Sequence, residues 1–271
     1  MTDGDFEKLQ ALMASRAGFR LTRDRAQLAR HRLGPVARRE GFDSVDAMLA
    51  SLWEKPVASL GWAVIEALLN AETWFRRDRK PFDVFAHELL PAVSRARGAA
   101  PVTVWSAGCS TGQEAYSVAM AALDAAIPVD IVGTDLSARG IERAKLGAYT
   151  GFEIQRGLSA RTMLRWFEPL EDHWVAKPDL KAAVRFYRAN LLDEAEGAGR
   201  FDIIFCRHVL KDMDPTRRGR VVEALERRLV DDGCLVLGPD ERLEADTVAF
   251  SPVGGREGLY VKAPAAIRRA A

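Results

Sequence analysis

Cysteine is scarce in this chain and never clustered. Its 271 residues hold three, Cys109, Cys206 and Cys234, with no C-x-x-C pair. An odd, scattered set excludes a disulfide framework and a zinc ribbon, and suits a reducing compartment. Net charge is nearly absent: 39 Lys and Arg against 38 Asp and Glu leave +1. No global field therefore steers the chain to nucleic acid, and no nucleic-acid partner is expected. No apolar run approaches the ~18 residues of a membrane span. The acidic start, Met1-Thr-Asp-Gly-Asp-Phe, lacks the apolar core of a signal peptide. A cytoplasmic protein without membrane insertion is the expectation, and no metal site. Repeats and low-complexity tracts are missing. So are two phosphate-binding signatures, G-x-G-x-x-G and the Gly-Lys-Ser/Thr of a P-loop.

What is present is ordinary globular composition, 48% hydrophobic and 28% charged, with room for an α/β domain and a small helical one. One stretch organises the rest. Residues 102–105, Val-Thr-Val-Trp, read as a buried strand, and 115–122 read as a helix packed on a sheet. Between them Gly108 and Gly112 let backbone approach a ligand, and the helix start offers unpaired N–H groups. A second strand, 129–133, ends in Thr134-Asp135, and an acid at that tip can bond both hydroxyls of a ribose. Strand, glycine loop, helix, strand and acid form a nucleoside-cofactor site. With both phosphate signatures absent, the surviving candidate is S-adenosylmethionine (SAM), with S-adenosylhomocysteine (SAH) as its product. The other reading of the loop is a tight βα turn with no ligand.

The division predicted is a helical domain over 1–70, an α/β domain over 71–263 and a tail over 264–271. In the first, Phe6, Leu9 and Met13 mark one helix face. Leu21, Leu28 and Leu33 mark a second, broken at Gly34-Pro35. Ser44 caps a third helix carrying Val45, Met48, Leu49 and Leu52, and Pro56 opens a fourth. Between Arg16 and Arg39 stand eight arginines and a single acid, Asp24, either a solvated face or a docking face for an acidic partner. Residues 70–80, Asn-Ala-Glu-Thr-Trp-Phe-Arg-Arg-Asp-Arg-Lys, are either a linker or a segment folded over the cofactor. A helix over 82–97, bent at Pro91, follows. The α/β pattern then runs strand 102–105, helix 112–126, strand 129–134 and helix 137–146, the last capped by Ser137 and stopped by Gly147. Residues 149–190 interrupt it with a short helix and two strands, near 173–176 and 183–187. It resumes with a strand at 201–206, a helix to about 230, and strands at 234–237 and 258–262. This is the pattern of a doubly wound Rossmann-like sheet.

On these motifs the chain resembles the chemotaxis receptor methyltransferases, the CheR family, collinearly from about residue 5 to 262. The resemblance rests on Glu72-Thr73-Trp74-Phe75 with Arg77-Asp78, on 105–114 (Trp-Ser-Ala-Gly-Cys-Ser-Thr-Gly-Gln-Glu) with Tyr116-Ser117, on Thr134-Asp135-Leu-Ser137, on Asn190-Leu-Leu192, and on 201–207 (Phe-Asp-Ile-Ile-Phe-Cys-Arg). It implies an N-terminal helical domain, a SAM-binding α/β domain and a small β-subdomain inserted at about 149–188. It implies that SAM is held by Thr73, Arg77, Glu114, Asp135, Asn190, Leu191 and Arg207; Gly108 of the glycine loop and His208, as a neutral donor in place of the usual Asn, complete the candidate set. The implied reaction moves a methyl group to a receptor glutamate. Asp135 suits the ribose hydroxyls, Glu114 the methionyl ammonium and Asn190 the adenine edge. Arg77 would meet the cofactor carboxylate or orient the substrate's.

Three positions depart from the family pattern. Ala71 stands where an Asn is usual, with Asn70 one place earlier, and His208 stands where the family has Asn. Asp212 replaces a Tyr near the transferred methyl, which makes it, with Arg77, the candidate catalytic residue. A bare carboxylate there would repel an acceptor carboxylate by roughly 1–4 kcal/mol at ~4 Å, unless it pairs with Lys211 or His208 or points to solvent. Residues 167–180 lack the glycine-rich loop that family members use to grip a receptor tether peptide, so no such dependence is expected. Docking on a chemoreceptor cytoplasmic domain would rest on the arginine-rich helices, with the protein a monomer. Two alternatives stand beside this: a SAM- or SAH-binding regulatory module with weakened transfer, and a methyltransferase with a different acceptor.

Overall fold

A computed structural model describes residues 1–193, 199–244, 247 and 249–263; the tail over 264–271 lies outside the described residues. The chain forms two compact units. The first is Met1–Asn70 with Asp212–Arg220, the second Ala71–Lys211 with Val221–Ala271.

The first unit holds helices α1 (Asp3–Arg16), α2 (Ala26–Arg39), α3 (Val45–Glu54) and α4 (Ala58–Leu68). Thr2 and Asp5 form a capping box on α1, and the Ser44 hydroxyl accepts from Ala47 N at 3.1 Å to start α3. Phe6, Leu9, Met13, Met48, Leu49 and Leu52 are buried, the apolar stripes that the periodicity marks, and Val64 and Ile65 of α4 are buried too. Two expectations fail. Leu28 is 45% exposed: a 3₁₀ turn at Arg23–Arg25 sets the phase of α2, so its core face is Ala29, Leu33, Val36 and Ala37. And α2 runs unbroken through Gly34-Pro35. An interior proline costs about 3 kcal/mol, but Leu33, Val36 and Ala37 flank it in the core, and their burial outweighs that cost at ~1.5–3 kcal/mol per large side chain.

The second unit begins with a segment over 71–79, then α5 (Lys80–Val84), a π turn at Phe85–Leu89 and α6 (Leu90–Arg97). Pro91 does not bend this helix alone; the wide π turn before it makes room for the proline ring against the preceding carbonyls. Strand β1 (Val102–Ala107), helix α7 (Gln113–Asp124), strand β2 (Val129–Asp135) and helix α8 (Ala138–Leu146) follow. Ser137 caps α8 and Gly147, at φ +62°, ends it. Next come β3 (Ala148–Thr150), α9 (Gly151–Gln155), α10 (Ala160–Trp166), β4 (Phe167–Leu170), β5 (His173–Ala176) and α11 (Pro178–Ala182). The chain closes with β6 (Val184–Arg188), β7 (Phe201–Phe205), α12 (Pro215–Arg228), β8 (Leu229–Val236), β9 (Phe250–Pro252) and β10 (Leu259–Lys262).

The main sheet has the order β6-β2-β1-β7-β8-β10-β9. Its first five strands are parallel, and β10 runs antiparallel to β8 and β9. Successive strands leave β1 toward β2 and β6, then return to β7 on its other side. The switch point therefore lies between β1 and β7, where ligands bind beyond the strand ends. A second sheet, β3-β5-β4, forms the inserted subdomain. Its extent corrects the expected 149–188: Val184–Arg188 belongs to the main sheet, paired with β2, and a third strand over Phe167–Leu170 takes its place. Asp202 ties the main sheet to α6. It is 3% exposed, accepts Thr103 N and Oγ1 at 2.8 Å each, and meets Arg97 Nε at 2.6 Å. All three cysteines are buried and unpaired, and no described helix is long and apolar enough to cross a membrane.

Candidate cofactor site

The loop from β1 to α7 turns on Gly108 and Gly112, at φ +84° and +94°, a region that favours glycine. A Cβ on Gly108 would stand 2.5 Å from Val209 Cγ2, and one on Gly112 2.9 Å from Ala144 Cβ. The loop thus packs with no space for larger residues. Gly108 N and Cys109 N both donate to Thr134 O, at 2.8 and 2.9 Å, which binds the loop to the end of β2.

Asp135 ends β2, as the motif requires. One oxygen accepts Ser110 N from the glycine loop and the other accepts Ser137 N, each at 2.8 Å. The carboxylate is fixed in orientation, and its four lone-pair sites leave acceptor capacity for ribose hydroxyls. Its main-chain oxygen accepts Ala189 N at 3.0 Å, which brings the 190–192 turn alongside. Asn190 Oδ1 accepts Leu192 N at 3.1 Å, an Asx turn that fixes the amide plane, with Leu191 inside it.

Glu114 lies in the first turn of α7. Its oxygens accept from Ser106 Oγ at 2.8 Å and Arg207 Nη1 at 3.0 Å. Burial pushes its pKa up, and Arg207 and Ser106 pull it back. Arg207, just past β7, is no surface charge: its side chain is 1% exposed, and it also donates to Arg77 O at 2.7 Å and Asp78 Oδ2 at 2.6 Å. It thereby joins three site segments. His208 follows at φ +61°. Its Nε2 lies 2.7 Å from the same Asp78 oxygen and its Nδ1 lies 3.3 Å from Lys211 Nζ. That arrangement fits the neutral ring with Nε2–H donating to Asp78. Burial lowers its pKa below the usual 6.5, against the hydrogen bond to Asp78, so the ring is neutral at pH 7.

The 71–79 segment folds back onto this site rather than running as a linker. Ala71 O accepts Ser110 Oγ at 3.1 Å, and Arg76 N donates to Ser117 Oγ at 3.0 Å. Arg76, Asp78 and Arg79 all take positive φ, so the segment is tightly coiled. Thr73 is half-buried within it. Arg77 donates to Glu72 O at 2.7 Å and rests 4.2 Å from the centre of the Trp74 ring. Its Nε is buried with no hydrogen-bond partner among the described residues, and burial lowers its pKa.

Of the candidate residues, Asp212 alone falls in the first unit. It pairs there with Arg25 at 3.6 Å and accepts Asn70 Nδ2 at 3.3 Å, not with Lys211 or His208. Sequence reasoning missed Glu241, 2% exposed. It accepts His208 N at 2.6 Å, Gly238 N at 2.8 Å and Lys211 N at 3.1 Å, so it sets the path of the chain after β7. A lone Glu in a Gly-Pro-Asp-Glu turn gives no sequence signal of this. Asp78 was visible only as the residue after Arg77.

The donor set fits SAM. The glycine loop carries no Lys or Arg and gives one of its N–H groups to the Asp135 carboxylate, an arrangement that disfavours a phosphate there and leaves a phosphate-free nucleoside as the fitting ligand. The orphaned Arg77 Nε–H is a donor for a carboxylate.

Residues 71–259 match the family described as CheR methyltransferase, SAM binding domain. The chain is 31% identical over 268 residues to the chemotaxis protein methyltransferase Cher2 of Pseudomonas putida, covering 96% of this chain and 98% of that protein. It is 33% identical over 270 residues to a chemotaxis protein methyltransferase of Vibrio parahaemolyticus, covering 97% and 98%. It is also 35% identical over 197 residues to a probable biofilm formation methyltransferase, WspC, of Pseudomonas aeruginosa, covering 71% of this chain and 46% of that protein.

Proposed function

The chain belongs to the CheR methyltransferase family, and from that premise we propose that it methylates glutamate side chains in the cytoplasmic domain of a chemoreceptor. The observation that carries the reading is the glycine loop bonded to Asp135 at the end of β2, within a chain collinear over nearly its whole length with chemotaxis methyltransferases.

Bound SAM supplies an electrophilic methyl group; a glutamate oxygen bonds to that carbon as the carbon–sulfur pair returns to sulfur, giving an ester and SAH. A glutamate is ionised near pH 7, so no proton has to move and the chain's residues act by position. Asp135 takes the ribose hydroxyls, Glu114 the ammonium, Asn190 the adenine edge and Arg77 the methionyl carboxylate. Arg207 holds Glu114 and the main chain of Arg77 in place. Asp212, its charge met by Arg25 and Asn70, is not the bare carboxylate that its departure from the family pattern suggested. The match to chemotaxis methyltransferases over nearly the whole chain supports transfer over a regulatory module.

The receptor docks on the arginine-rich helices. Arg23, Arg30 and Arg39 there already pair with Glu7, Asp46 and Glu40. Such exposed pairs are worth ~1 kcal/mol or less, and acidic receptor residues can replace their partners. Glu171-Asp172 alone connects β4 to β5, a turn too short to grip a tether peptide, and the protein acts as a cytoplasmic monomer. The test is transfer of labelled methyl from SAM to purified receptor cytoplasmic domains. Alkali-labile label on the receptor is expected. Alkali-stable label, or none while calorimetry shows SAH bound, overturns the reading.

A further inference from the structure

We propose that Arg156, in the inserted subdomain, receives the carboxylate of the acceptor glutamate and that Glu72 occupies its guanidinium until the acceptor arrives. The inference rests on the reading that the acceptor is a carboxylate.

Residue 156 meets the cofactor site because of Gly157. At φ +108°, Gly157 presses so closely on the 71–79 segment that a Cβ there would lie 1.8 Å from Phe75 O. This contact delivers Arg156 to Trp74, with its guanidinium carbon 3.8 Å from the ring centre. Arg77 stands 4.2 Å from the same ring centre. Two cations thus converge on one aromatic side chain, and the carboxylates of residues 72–83 are unequally available. Asp78 is committed to Arg207 and His208, and Asp83 to Arg76. Glu72 is the carboxylate on Arg156, at 3.2 Å.

That pair is open to exchange. The Arg156 side chain is 41% exposed and that of Glu72 52%, and an ion pair so wet contributes little. Stacking on Trp74 holds the guanidinium in place when Glu72 leaves. Its planar fork can then take both oxygens of an incoming carboxylate. The two arginines divide the work by depth: Arg77, half-buried with an orphaned Nε–H, suits the cofactor's carboxylate, whereas the outer Arg156 suits one borne by a macromolecule. The subdomain then sets acceptor choice for negatively charged over neutral side chains.

The variants R156Q, R156K and E72Q separate this from a structural salt bridge, because both partners of a structural pair shift a readout in the same direction. Receptor-domain methylation is measured for KM and kcat, and SAH affinity by calorimetry reports that the second unit remains folded. R156Q is expected to raise receptor KM about tenfold, the loss of one charge-assisted contact, with SAH affinity within about twofold. R156K, which keeps charge without the fork, falls between. E72Q is expected to lower receptor KM. An unchanged KM in R156Q, an SAH affinity that falls in step with it, or a rise in KM for both R156Q and E72Q overturns the proposal. If wild-type protein places no alkali-labile label on the receptor, the functional reading has failed and takes this inference with it; label with an unaltered R156Q removes this inference alone.

Discussion

Replacing Arg207 by methionine tests whether the buried ion-pair chain holds the cofactor site together. The guanidinium serves Glu114 at 3.0 Å, Asp78 at 2.6 Å and Arg77 O at 2.7 Å. Removing one partner of a buried pair costs about 3–5 kcal/mol, because the other charge stays buried. Methionine retains a contact with Phe82, over whose ring Arg207 lies, and recovers about 1 kcal/mol of apolar burial. Asp78, 27% exposed, can rehydrate, so Glu114 carries most of the penalty. The expected net loss is about 3 kcal/mol. It should depend on pH. Burial already raises the Glu114 pKa above its ordinary 4.5, and Arg207 opposes that shift, so the variant's folded-state pKa rises further. A carboxyl with a raised folded pKa penalises the fold at higher pH and is relieved as pH falls through that pKa. The R207M deficit should therefore be largest near pH 8 and shrink toward pH 5. Urea unfolding at several pH values measures it, and E114Q in the R207M background should recover part of it at pH 8. A deficit under about 1 kcal/mol, one independent of pH, or strict additivity of the two substitutions would refute the argument.

Gly157→Ala forces a Cβ to 1.8 Å from Phe75 O at a φ of +108°. It should cost about 2–4 kcal/mol by strain and overpacking and weaken SAH binding by displacing the 71–79 segment; a variant with the wild-type melting temperature and SAH affinity contradicts the close approach. His208, its pKa lowered by burial, contributes stability that is present above its unfolded pKa of about 6.5 and lost as pH falls through the folded value. His208→Asn should flatten stability against pH just below 6.5, and an unchanged slope in urea midpoints shows that the ring does not titrate there.

The core of the site was legible because its signals are local. β1, the glycine loop, α7, β2 and Asp135 fall within 34 residues, where periodicity, glycine and a capping Ser137 leave few choices. Resemblance to a family supplied Arg207 and Asn190, whose flanking residues alone suit a surface charge and a turn. What escaped depends on partners distant in the chain. Val184–Arg188 alternates like a strand of any sheet, and only its register with β2, Ile131 opposite Val184, assigns it to the main one. The run through Pro35 was decided by burial on the far side of the helix. Arg156 meets Glu72 across 84 positions, and no motif around either residue announces the pairing.

The three departures from the family pattern share a cause. At each, the atoms in use are main-chain atoms, or the new side chain brings its own partner. Ala71 supplies a carbonyl oxygen to Ser110, which any residue at that position provides. His208 sits at φ +61°, a region that Asn and His tolerate better than most residues. Its N–H is held by Glu241, so the turn after β7 does not depend on the side chain it carries. Asp212 introduces a charge, and Arg25 and Asn70 meet it. That Asn70 is the asparagine standing one place before its usual position, so the first and third departures are two ends of one hydrogen bond. With an ionised carboxylate as the proposed acceptor, methyl transfer asks for placement rather than for a proton-transfer group. A chain held in place through backbone contacts can therefore change these side chains and keep the site.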